Sequence, residues 1–338
     1  MSLTLKKDEA FNIIISGYGC PQEMTLAQYR IEYSGAYQKL WHTEVHNASF
    51  VTKSEDYLFT VTEHDDFCTV YMFKKSEQGY ELVDQRNLEG GALCHITFGT
   101  KQKVLYGACY GTGTVFAIRV TDEGFGELIF SEIQQAEAEQ ELTRAHCVLL
   151  NAREDELLTV NIALDRLFCY KLKEGIPFLS KSIALPKGVG PRHAIYSKDE
   201  KYLYVVTEYS NEIFVYNYDK GEFLQRISTL SEDFTGVSNC STLCFLGGGR
   251  YLYAANRGAD TITLFCVDSK GRLSRIKEYP CGGKHPRHMI ITENDEFLII
   301  CNQYSDVVIC YRIEEGTGEL TEKKFEIPFG NPSGILQE

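Results

Sequence analysis

Residues 190 to 216 read GPRHAIYSKDEKYLYVVTEYSNEIFVY, and Arg192, His193 and Glu208 are the groups in it that bind anions or move protons. Arginine stays charged and forks onto carboxylate or phosphate. Histidine and glutamate are the commonest general bases. The same types recur as His95 in CHITF, His146 in AHCVL, Arg257 in ANRGAD, and Arg287 with His288 in PRHMII. A buried arginine is costly unless it is paired or holds an anion. Arg192 and Arg257 are therefore expected at a functional position, with Glu208 as an ion-pair partner across the mouth from them or as a base. For His95, His193 and His288 a structural hydrogen bond between neighbouring elements is the simpler expectation. Other chemistries leave no trace. There is no HExxH or GxSxG, and no Cys or His cluster at metal-site spacing. Neither GGGR at 247–250 nor GYGCP leads into a helix as a phosphate loop does.

The elements that must position these groups repeat. The segments NIIISGYG, YLFTVTEH, VLYGACYG, ELLTVNIA, YLYVVTEY, YLYAANRG and FLIICNQY align on Ile13, Leu58, Leu105, Leu157, Leu203, Leu252 and Leu298, with gaps of 45, 47, 52, 46, 49 and 46 residues. Around each aligned strand lie an apolar strand before it, a polar turn, a third strand and a more variable fourth. Four short strands in each repeat of roughly 45 residues are the signature of a β-propeller blade. Seven repeats predict an all-β, seven-bladed propeller of four-stranded antiparallel blades, one domain over residues 1–338. The first unit lacks an inner strand, and the C-terminal NPSGILQE reads as a lone inner strand. The ring is expected to close through a composite blade of both termini. SEIQQAEAEQELTRA, an acidic insert, accounts for the longest gap and is expected to form a loop or short helix.

Equivalent positions can then be compared across the ring. Five residues after each aligned position stand Tyr18, Glu63, Tyr110, Ile162, Glu208, Arg257 and Gln303. A structural position tends toward one residue type, whereas this one varies as a site lining does. The inner strands carry His95, His146, Arg192 with His193, and Arg287 with His288 at the matching level. Both sets should meet at one mouth of the central channel.

The formal net charge of −13 disfavours nucleic acid and anionic membranes as partners. It leaves room for a small anion, because a local pocket can oppose the global field. No apolar run is long enough to cross a membrane as a helix, and the apolar core near the N-terminus is too short for a signal peptide. The twelve cysteines are scattered, several on apolar strand positions. They are expected to be free buried thiols in a reducing cytoplasm.

GPRHAIYSKDEKYLYVVTEYSNEIFVY, ANRGADTITLF and GKHPRHMIITENDEFLIICNQYSDVVICYRIEEGTGELT together resemble the lactonase family of seven-bladed propellers, which includes propeller-type 6-phosphogluconolactonases and fungal carboxymuconate cycloisomerases. The resemblance spans nearly the whole chain. It implies a catalytic set of His146, Arg192, Glu208 and Arg257 at the channel mouth. His95, His193, Arg287, His288, Gln303, Tyr18 and Glu63 would line the substrate. Three neighbours depart from the family's common pattern: Cys109 in GACYG, Asn161 in TVNIALD and the TRA before His146. The implied activity is hydrolysis of a small anionic, sugar-derived lactone, first of all 6-phosphogluconolactone, with Glu208 or His146 as base and no metal or cofactor required. A cycloisomerase using the same four groups and a non-catalytic binding propeller are the alternatives.

Overall fold

The computed structural model describes residues 10–19, 24–135 and 142–338. Among the described residues, 28 strands form seven four-stranded antiparallel sheets. The inner strands, in chain order, are Val51–Lys53 (β4), Leu93–Gly99 (β8), Ala145–Leu150 (β12), Pro191–Tyr196 (β16), Asn239–Leu246 (β20), Pro286–Ile291 (β24) and Pro332–Gln337 (β28). Each pairs with a second strand: Tyr57–His64 (β5), Val104–Cys109 (β9), Glu156–Asn161 (β13), Tyr202–Thr207 (β17), Tyr251–Arg257 (β21), Phe297–Asn302 (β25) and Ala10–Gly17 (β1) respectively. The last pair is the expected closure: the C-terminal strand joins the three N-terminal strands in one blade.

The reason for a ring lies in the second strands. Successive side chains on a strand point to opposite faces. Ile13 and Ile15 pack with Phe297, Ile299 and Val308 of the preceding blade. Ile14, between them, packs with Val51, Leu58 and Phe73 of the following blade. Seven apolar clusters of this kind fill the seven junctions between blades. Both faces of a blade are thus apolar, and no blade can cover them without two neighbours.

Ser131–Ile133 of the acidic insert continue the outer strand Gly124–Ile133. Residues 136–141, where a loop or short helix was expected, lie outside the described residues. The eleven described cysteines are free and mostly buried. No helix among the described residues is long and apolar enough to cross a membrane.

Candidate active site at the channel mouth

Six of the seven inner strands are interrupted at one level by β-bulges; Val51–Lys53 (β4) is regular. In β12 the residues Ala145 and Cys147 face consecutive partners on β13, leaving His146 as the extra residue. Arg192 is extra in β16, Arg287 in β24 and Cys94 in β8 by the same count. β20 carries its extra residue within Ser241–Thr242, and β28 has Ser333. A bulge leaves one residue out of the ladder and re-aims its side chain. That is how His146, Arg192 and Arg287 are brought to the same mouth. The histidines one residue further along, His95, His193 and His288, return to the regular pairing and line the channel.

A second repeated device sets the entry to these bulges. Asp165, Asp260 and Asp306 occupy left-handed turns after their second strands, with φ of 48°, 55° and 51°. Aspartate tolerates that conformation better than most residues. Asp165 accepts from the backbone of Gly188 and Gly190 at 2.6 and 2.7 Å, just before Arg192. Asp260 accepts from His285 N at 2.7 Å, just before Arg287. Asp306 does the same for Asn331 at 2.8 Å. Gly258, with φ of +93°, lets the chain turn immediately after Arg257, where a Cβ would stand 2.4 Å from Val237 O.

Three consecutive blades supply one set of groups. Glu208 Oε2 lies 2.9 Å from Arg192 Nε and 2.8 Å from Arg257 Nη2. Glu208 therefore sits between the two guanidiniums, not across the mouth from them. Arg192 also donates through Nη1 to Ser241 O and meets His193 Nε2 at 3.3 Å. Arg257 donates to Asn239 O at 3.2 Å and Cys240 O at 3.1 Å. Arg192 Nη2 and Arg257 Nη1 have no acceptor among the described residues. Neither is a buried orphan, so both keep access to the mouth. The arginine side chains are only 3% and 8% exposed, while Glu208 is 17% exposed and its second oxygen has no donor among the described residues.

Burial pushes the Glu208 carboxyl up, but the charges of Arg192 and Arg257 prevail and hold it below the ordinary range. Arg192 is lowered to about 9 by burial and by Arg257, and it remains cationic at neutral pH. His146 is held well below the usual imidazole range by burial first and by Arg192 next. It is a neutral imidazole at neutral pH. Its Nδ1 is buried without a partner, which leaves Nε2 as the nitrogen with access to the mouth.

Three of the four remaining blades supply a second set. The Tyr18 hydroxyl donates to Glu63 Oε2 at 2.6 Å and accepts from Arg287 Nη2. Arg287 lies 3.8 Å from the same carboxylate oxygen and stacks over the Tyr18 ring at 5.1 Å. Burial raises the Tyr18 hydroxyl well above its ordinary value. The two sets feel each other: Arg287 is among the charges that lower Glu208, and Glu208 is among those that raise Arg287.

The channel histidines are occupied. His95 Nδ1 meets Val148 N at 3.5 Å on the next blade, and His288 Nδ1 accepts from Ile335 N at 3.3 Å across the ring closure. His193 Nδ1 meets Thr242 Oγ1 at 3.3 Å. Burial lowers His95 to about 3 and His288 to about 4, so both are neutral. Gln303 lies in a short 3-10 turn at the same level, with Oε1 buried and unpartnered, and it joins neither set. One residue at the mouth was not singled out from the sequence. Arg144 donates to the Tyr110 hydroxyl at 2.5 Å and stacks on its ring at 4.6 Å, beside His146. Its place two residues before His146 was the available signal.

Among the side chains of the two sets and Arg144, four guanidiniums meet two carboxylates, Glu63 and Glu208, on a chain of net charge −13. No group of three or more His, Cys, Asp and Glu among the described residues is placed to hold a metal ion. Surface clefts also open on the opposite face. One of about 190 Å³ is lined by Glu156, Lys171 and Tyr218. Glu156 is satisfied there by Lys171 and two tyrosines.

Residues 12–336 match the family described as lactonase, 7-bladed beta-propeller. The chain is 29% identical to 6-phosphogluconolactonase of Bacillus subtilis over 260 residues, 74% of each chain. It is 30% identical over 293 residues to an uncharacterized protein of Staphylococcus epidermidis, covering 83% of this chain and 85% of the other. Among solved structures, a candidate 6-phosphogluconolactonase of Bacteroides fragilis superposes with a TM-score of 0.90 at 22% identity over 99% of both chains. The periplasmic gluconolactonase of Pseudomonas aeruginosa gives 0.89 at 21% identity, over 97% of this chain and 99% of the other. At those identities the structural likeness establishes the fold alone.

Proposed function

The chain belongs to the lactonase family of seven-bladed β-propellers, and from that premise we propose that it hydrolyses a sugar-derived lactone, 6-phosphogluconolactone first. The observation that carries this reading is one carboxylate held between two buried guanidiniums that still have free N–H groups, beside a neutral histidine. The 6-phosphogluconolactonase relative supports the choice of substrate.

In this reading Arg192 Nη2 and Arg257 Nη1 donate to the lactone carbonyl oxygen. Charge that develops there meets donors already fixed by backbone carbonyls, so little reorganisation is needed. Glu208, kept ionised by its arginines, is a weak proton acceptor and a good orienter. Its free oxygen holds the attacking water. His146 Nε2 takes the water proton as the oxygen bonds to the carbonyl carbon. The tetrahedral intermediate then collapses, the ring C–O bond breaks, and the proton on His146 passes to the departing ring oxygen. The product is an open-chain hydroxy acid. Arg144, a cation with no carboxylate partner among the described residues, is the candidate holder of a phosphate at the rim. The free thiols suit a reducing cytoplasm.

The test generates 6-phosphogluconolactone in situ and follows its loss above the spontaneous rate, for wild type and Glu208→Gln. Expected is a large wild-type acceleration, with kcat reduced about tenfold to hundredfold in the variant. No acceleration by folded wild type overturns this substrate and directs the search to lactone cycloisomerisation. Acceleration that survives the substitution removes Glu208 from its role.

A further inference from the structure

The second set at the mouth has a different charge balance from the first. Glu208 is outnumbered by two guanidiniums, whereas Arg287 is balanced by Glu63, with the Tyr18 hydroxyl bridging them. A balanced pair is a poor trap for an anion, because Glu63 repels what Arg287 attracts. It is equally poor for a cation. What it offers is a donor and an acceptor side by side. Arg287 Nε and Nη1 have no acceptor among the described residues, and Glu63 Oε1 has no donor; none of the three is a buried orphan. A hydroxyl group is the ligand that uses both, donating to a carboxylate and accepting from a guanidinium.

We infer that Arg287, Tyr18 and Glu63 form a hydroxyl-recognition subsite that makes the site selective for polyhydroxylated lactones over bare ones; this rests on the lactonase reading. The position fits. The side chains beneath the two sets are in ring contact across the channel, His146 with His193, His193 with His95, and Phe50 with both His95 and His288, so the two sets stand over one narrow channel. The side chains of Glu63 and Arg287 are 17% and 18% exposed, so each presents an edge to the mouth. Tyr18 fixes the spacing of donor and acceptor through two hydrogen bonds. A site built to hydrogen-bond a substrate hydroxyl discriminates strongly against the analogue that lacks it, because its own polar groups are then left unpaired.

The same three residues also join three blades near the ring closure, so a structural role has to be separated from recognition. The experiment compares kcat/KM for glucono-δ-lactone and for δ-valerolactone, which has the same ring without hydroxyls, in wild type, Tyr18→Phe and Arg287→Lys. Thermal unfolding identifies variants that do not fold. Expected is a wild-type preference for glucono-δ-lactone that falls about tenfold in each folded variant, the loss of roughly one charge-assisted hydrogen bond. A purely structural role lowers both substrates alike and leaves the ratio unchanged, which overturns the inference. If wild type hydrolyses neither lactone, calorimetric titration with gluconate and 5-hydroxypentanoate decides the subsite separately, and the lactonase reading itself fails only if 6-phosphogluconolactone is not hydrolysed either. Gluconate binding that weakens in Tyr18→Phe supports it. Equal binding of both acids, or of neither, overturns it.

Discussion

The two arcs of the channel mouth use the same residue types to opposite ends. On one side Arg192 and Arg257 close on a single carboxylate and are more deeply buried than it, each keeping an N–H group toward the mouth. On the other, Arg287 meets one carboxylate through a tyrosine, and both partners present edges to solvent. The first arc is an unbalanced, rigid charge set, suited to charge that appears during a reaction. The second is balanced and suited to a neutral polar group that is present throughout. Composition alone does not separate such sites. Stoichiometry and depth do.

The largest expected effect tests depth. Arg192→Met removes one partner of a buried ion pair and leaves Ser241 O without its donor. Because Glu208 keeps Arg257, the loss should be about 2–3 kcal/mol of stability, read by denaturant unfolding, together with most of the activity. Arg287→Met, at a shallower site, should cost about 1–2 kcal/mol. Equal costs would break the comparison.

Acid and alkali should separate the arcs as well. His95, His146, His193 and His288 all have folded-state values below the ordinary imidazole value. Between about pH 6.5 and those lower values the unfolded chain binds protons that the folded chain refuses. Stability therefore falls as the pH drops through that window. Glu208, also depressed, loses its contribution on further acidification. Tyr18 is shifted the other way. Its contribution is complete below about pH 10 and is lost as the pH rises. Acid unfolding should thus respond to His193→Phe, and Tyr18→Phe should flatten the alkaline limb. Urea midpoints across pH check both.

The smallest effect is expected at Gln303, which joins neither arc. Gln303→Met removes a buried, unpartnered oxygen and should change stability by less than about 1 kcal/mol and kcat/KM by less than about twofold. A larger loss of activity would add Gln303 to one of the arcs.

Much of this was legible in the chain. The seven aligned strands gave the ring, and the missing first inner strand gave its closure, because both follow from periodicity. Comparing blades also brought out Arg192, Glu208 and Arg257, since a varying position at a strand end stands against a constant background. The bulges were not legible. One extra residue in a short strand leaves no mark on apolar alternation, so the equivalence of Cys94, His146, Arg192 and Arg287 emerged only from the strand register. The union of Tyr18, Glu63 and Arg287 was hidden for another reason. Tyr18 and Arg287 are 269 residues apart and meet only because the ring closes. Their pairing depends on which blades are neighbours and on how far each side chain reaches, and spacing encodes neither.

The division of labour between the arcs is tested most directly by measuring kcat and KM for His146→Asn and Tyr18→Phe on glucono-δ-lactone. Expected is a fall in kcat of about a hundredfold or more for His146→Asn with KM little changed, against a rise in KM of about tenfold for Tyr18→Phe. Two variants that lose kcat alike at constant KM would contradict it.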